Sequence, residues 1–138
     1  MRCIPISLMC AVTLALPAIA EQTTLGGRDL FVRYCARCHG DNARGGQGNT
    51  TTAAPGMTKI AERRGSVWPM LEIMSIIDGY TKATEPRVEM PVIPELTEGT
   101  QIEFDTGNGN SVAVPASLVA IVNYLESIQW PRPERYVP

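Results

Sequence analysis

The chain has a single histidine, His39, in 138 residues. A Ser-His-Asp triad would have to use it, and a zinc site built from several imidazoles lacks its material. Cysteine is nearly as scarce. Cys3 and Cys10 lie in an apolar N-terminal stretch, which leaves only Cys35 and Cys38 downstream. Two cysteines so close together cannot staple a fold the way a disulfide framework does. Lysine is limited to Lys59 and Lys82, and no basic stripe suited to nucleic acid appears. Beyond residue 20 no apolar run is long enough to cross a bilayer. No internal repeat is present.

Residues 1–20 have the layout of a secretory signal peptide. Arg2 supplies the positive start, Ile6 to Leu16 the short apolar run, and Ala18-Ile19-Ala20 a small-residue cleavage site. An uncleaved anchor is the alternative, but the run is short for a span. Bulky Met9 argues against a lipid anchor at Cys10. Cleavage after Ala20 leaves residues 21–138, enough for one small domain. That part holds 11 Lys and Arg against 14 Asp and Glu, a formal charge of −3. The expected location is the periplasm, with no transmembrane segment in the mature chain.

What remains is concentrated in Cys35-Ala36-Arg37-Cys38-His39. Cys-x-x-Cys followed by His is the attachment pattern for a c-type haem. Each thiol adds to a haem vinyl group, and the adjacent histidine ligates the iron. Cys-x-x-Cys also serves as a redox dithiol or as half of a zinc site. A zinc site needs about four ligands, and a thioredoxin-like motif follows a strand. Here the motif follows a helical pattern.

The pattern predicts a first helix over Leu25 to Tyr34, with Gly27, Phe31 and Cys35 on one face. Glycine on a helix face costs about 1 kcal/mol; close approach of another helix would explain it, and a helix start marked by Gly26-Gly27 is the alternative. Residues 40–49 read as a Gly/Asn loop around the proximal side of the haem. Met57–Arg64 and Ser66–Asp78 read as helices ending at Gly65 and Gly79. Tyr80 to Leu96 is broken by Pro86, Pro91 and Pro94. Residues 101–105 and 111–114 alternate around a Gly/Asn turn and predict a β-hairpin. A last helix runs from Pro115 to about Gln129, with Leu118, Ile121, Val122, Leu125 and Ile128 as its apolar stripe. The Pro-rich tail, 129–138, is expected to be extended.

The second axial position cannot be filled by another histidine of this chain, and methionine is the usual alternative. Met57, Met70, Met74 and Met90 are available. Met70 and Met74 suit helix packing. Met90 lies in a proline-pinned stretch remote from His39, and Pro91 holds its backbone extended. Met90 is therefore the expected ligand, ahead of Met57 and of an open iron. Trp68 and Tyr80 are either propionate donors or packing residues.

Gly27-x3-Phe31-x3-Cys35-Ala-Arg-Cys38-His39-Gly40, then Met90-Pro91, then Val122-Asn-Tyr124-Leu125 resemble a class I monohaem cytochrome c. Cys38-His39-Gly40-Asp41-Asn42-Ala43-Arg44-Gly45 narrows the resemblance to exported bacterial members. The resemblance implies a mainly α, cytochrome c-like helical domain around one covalent haem c, in which Gly27, Phe31 and Tyr124 meet where the first and last helices cross. The hairpin is a short insertion relative to the simplest members, and the docking lysines of mitochondrial members are absent. Cys35 and Cys38 would bind haem, and His39 and Met90 its iron. The expected function is periplasmic one-electron transfer between redox partner proteins, not enzymic catalysis. A haem subunit fixed to a dehydrogenase or oxidase, and a haem enzyme or gas sensor with an open site, are the alternatives.

Overall fold

The computed structural model describes residues 26–46, 53–79 and 90–137. The expected signal peptide, the Leu25 helix start, the Thr run and residues 80–89 with Tyr80 and Lys82 lie outside them.

The order of elements is α1 (Gly27–Tyr34), α2 (Ala36–His39), β1 (Val67–Pro69), α3 (Met70–Asp78), α4 (Pro94–Thr97), β2 (Gln101–Asp105), β3 (Ser111–Pro115), α5 (Ala116–Ser127) and β4 (Arg135–Val137). The five helices are short. Helix accounts for 42% and strand for 17% of the described residues, in two small sheets. The domain is therefore mixed α/β, which corrects the expectation of a mainly α, cytochrome c-like fold. The correction comes from two places. The hairpin is fully formed, with Ile102 opposite Val114 and Phe104 opposite Val112. The tail does not merely lie extended on the surface: Arg135–Val137 pairs in parallel with Val67–Pro69.

That pairing also changes the start of the middle helix. The periodicity placed Ser66 to Pro69 in the helix, but Val67-Trp68-Pro69 is drawn out as a strand and Pro69 becomes the N-cap of α3. Gly79 caps the other end in the left-handed region, as its type suits. The expected Met57–Arg64 helix is reduced to turns and one 3-10 turn over Glu62–Arg64. Pro115 ends β3 and caps α5 instead of lying inside the helix.

The core joins α1, α3, α4 and α5. Phe31, Trp68, Leu96, Ile121, Val122 and Leu125 are its fully buried large side chains. All but Trp68 and Leu96 come from the two helices whose stripes the sequence marks. Helices α1 and α5 pack closely because position 27 has no side chain. A Cβ there would lie 2.1 Å from the Ala120 carbonyl oxygen and 2.7 Å from Tyr124 Cβ. One turn further, the Phe31 and Tyr124 rings meet at a centroid distance of 5.4 Å and a 46° tilt. The tilted arrangement is favourable for two ring quadrupoles. The crossing of Gly27, Phe31 and Tyr124 is thus met within a different overall fold.

Candidate haem site

Helix α1 delivers the motif. The Cys35 N–H donates to Phe31 O at 2.8 Å, so the chain is still helical when it reaches the first cysteine. The Cys35 carbonyl then accepts from Cys38 N (3.1 Å) and His39 N (2.9 Å). This single turn carries both cysteines and the histidine. Both cysteines are free, Cys35 buried and Cys38 half-buried.

Burial, and secondarily the neighbouring Cys38, pushes the Cys35 thiol up from 9.0 to about 11. Dithiol oxidoreductases depend on the opposite shift, because the thiolate is the nucleophile. The structure therefore gives the bare redox-dithiol alternative no support. Among the described residues no three His, Cys, Asp or Glu side chains cluster to cage a metal ion. The four-ligand zinc alternative has no partners there.

The histidine is oriented by a backbone group. His39 Nδ1 lies 2.9 Å from the Pro55 carbonyl oxygen. A carbonyl only accepts, so Nδ1 carries a proton, and in the neutral imidazole Nε2 is the nitrogen with the free lone pair. This is how a ligating histidine is usually held: one nitrogen tied to a carbonyl, the other left to the metal. The loop after His39 is built to place Pro55. Gly45 N donates to His39 O at 2.8 Å, Gly46 N to Ala54 O at 3.1 Å, and Met57 N to Ala43 O at 2.7 Å. Gly45 has φ +80°, and a Cβ there would fall 2.4 Å from Ala54 O. Only glycine permits both the left-handed turn and the close approach.

A second support runs from the far end of the chain. Gln129 is buried, with 4% exposure. Its Oε1 accepts from Ala61 N at 3.1 Å, and its Nε2 donates to Met57 O and Leu125 O, both at 2.7 Å. It stitches the end of α5 to the segment two residues beyond Pro55. Arg63 Nη2 donates to Gly56 O at 2.9 Å, next to Pro55. Neither Pro55 nor Gln129 carries a sequence signal. Pro55 acts through its backbone carbonyl, and Gln129 acts through a contact 72 positions away in sequence.

Two further residues are candidates on the same core cluster. Met90 is half-buried and packs on the same core cluster as Cys35, which is its only described link to the motif. Trp68 is 1% exposed, yet its Nε1 has no hydrogen-bond partner. An orphaned buried N–H costs about 1–3 kcal/mol and calls for an acceptor. A haem propionate is an acceptor of the right kind. The residues present thus fit a c-type haem: two free thiols, an imidazole with Nε2 available, a thioether on the same core and an unsatisfied buried donor.

Comparison with protein-family models, with curated proteins and with solved structures finds no match to this chain.

Proposed function

We propose that this chain is an exported, periplasmic one-electron carrier with a single covalent haem c, similar in its site to the class I monohaem cytochromes. The proposal rests on the site and not on the fold, which is mixed α/β. The observation that carries it is the His39 Nδ1–Pro55 O hydrogen bond beside two free thiols on the same turn. That arrangement selects the tautomer a ligand needs and puts the ligand next to the attachment points.

When bound, the haem supplies the one-electron couple. Cys35 and Cys38 would hold it through thioethers, and His39 Nε2 and the Met90 thioether would ligate its iron. Iron ligated on both sides by chain residues would leave no place for a substrate, which would suit a carrier over an enzyme. Trp68 Nε1 would satisfy a propionate. The hydrogen bond to Pro55 would fix the orientation of the ligating imidazole, and apolar surroundings would lower the local dielectric; both would act on the potential.

The test is a denaturing pyridine haemochrome measurement on protein exported by a host that attaches haem. One haem per chain that survives denaturation is expected, together with its loss when both cysteines become serine. Met90→Ala should abolish the methionine–iron absorption band of the ferric protein. Wild-type protein that already binds carbon monoxide readily, with Met90→Ala unchanged, would favour the open-site alternative. Exposed Ile102 and Val112 on the hairpin favour a second reading, a haem subunit fixed to a dehydrogenase or oxidase. Size-exclusion chromatography of periplasmic extract separates the two, since a freely eluting monomer argues for the carrier.

A further inference from the structure

A cleft of about 960 Å³ opens beside the loop that holds His39, and its lining includes Asn42, Arg44, Thr58, Lys59, Arg63 and Trp130. Its charge opposes that of the chain, which is −2 overall. Lys59 is committed to Glu62 at 2.8 Å. Among the described residues, Arg63 donates to a neutral carbonyl, that of Gly56. Among the described residues, neither Arg44 nor Arg63 meets a carboxylate. Asn42 Oδ1 already accepts from the Arg44 backbone N–H, which leaves its amide donors as the free end. The cleft is thus rich in donors with few acceptors of its own.

Its apolar element is equally unusual. Trp130 is 75% exposed, the most exposed large apolar side chain described. Its backbone is nevertheless fixed, since its N–H donates to Thr58 O at 2.8 Å. A large aromatic displayed from an anchored backbone beside arginines is the composition of an interface hot spot. A small anion would be held by buried, convergent donors, but Arg44, Lys59 and Arg63 are all exposed. Charge complementarity and the exposed indole fit a protein segment that carries carboxylates and an apolar side chain.

We propose that this cleft docks an acidic segment of the redox partner, with Arg44 and Arg63 pairing its carboxylates and Trp130 covering an apolar side chain between them. Arg63 also holds Gly56, the residue after the carbonyl that orients His39, so docking would touch the support of the proposed iron ligand directly. That the partner is a redox protein rests on the haem reading. The docking surface itself does not.

The experiment titrates an acetylated Glu-Glu-Leu-Glu-Glu-Leu peptide into the isotope-labelled protein, followed by NMR. Shifts should concentrate on the Trp130 indole and on the amides of 42–44 and 56–63. Arg44→Glu, which leaves the Arg63–Gly56 contact in place, should weaken binding by about tenfold. The same peptide with Gln for Glu should not bind. Shifts scattered over the surface, or binding unchanged by Arg44→Glu, would overturn the proposal. Inorganic phosphate alone producing the same shifts would overturn it too, in favour of a small-anion site. Peptide binding in a protein that fails the haemochrome test would keep the acidic-segment site and remove only the redox identity of its partner.

Discussion

Gly27→Ala is the substitution whose outcome the structure states most sharply. On helix propensity alone, alanine for glycine in α1 should stabilise by about 1 kcal/mol. The tertiary structure reverses the sign. The new methyl carbon would lie 2.1 Å from Ala120 O and 2.9 Å from Ala120 C, both backbone atoms of α5. Ordinary contact begins near 3.4 Å, so the helices must separate by roughly an ångström, because backbone cannot rotate away as a side chain does. Separation loosens the Phe31–Tyr124 ring contact as well. Overpacking of this kind costs about 3 kcal/mol, and subtracting the propensity gain leaves a net loss of about 2 kcal/mol. The control is Gly26→Ala, one residue earlier, where the added carbon meets only Asp29 Oδ2 at 3.7 Å. Its loss should stay within about 1 kcal/mol, the cost of a poorer N-cap. Urea denaturation followed by circular dichroism compares the two midpoints. If Gly27→Ala is no less stable than Gly26→Ala, the close crossing of α1 and α5 is not what the glycine serves.

Three further outcomes follow from named contacts. Gln129→Leu strands the Ala61 N–H and the Met57 carbonyl, at a cost of about 3 kcal/mol; a loss below about 1 kcal/mol in urea denaturation would show that the stitch is dispensable. The raised Cys35 thiol makes stability fall with pH. The unfolded chain gives up this proton above pH 9 and the folded protein only near 11, so the haem-free protein should lose about 2–3 kcal/mol across that window. Cys35→Ala should flatten the fall, and an unchanged slope would refute the assignment. If the proposed haem gives Trp68 Nε1 its acceptor, Trp68→Phe should cost the haem-loaded protein about 1–2 kcal/mol more than the haem-free protein. Equal losses would remove Trp68 from the site.

Much of the candidate site was legible in the order of residues, because its parts are local. Cys35, Cys38 and His39 fall within one helical turn, as their spacing alone requires. The solitary histidine limits any second ligand that the chain could give the proposed haem to a different residue type. Period-3.6 stripes identified α1, α3 and α5, and period-2 alternation identified the hairpin, since each pattern is set by an element's own geometry. The Gly27–Tyr124 crossing was legible too, because a glycine on an apolar helix face weakens the helix unless a neighbour packs closely against it.

Only the tertiary structure decided what depends on distant backbone. Parallel pairing of Arg135–Val137 with Val67–Pro69 turned an expected helix start into a strand and the expected helical domain into a mixed one. Pairing across 68 positions leaves no trace in either segment's periodicity. The Pro55 carbonyl that orients His39 and the Gln129 amide that steadies its loop are invisible for the same reason. A backbone oxygen is present at every position, and only folding determines which one an imidazole meets. The sequence by itself determined which groups are available for chemistry; the fold decided which nitrogen of His39 is free to perform it.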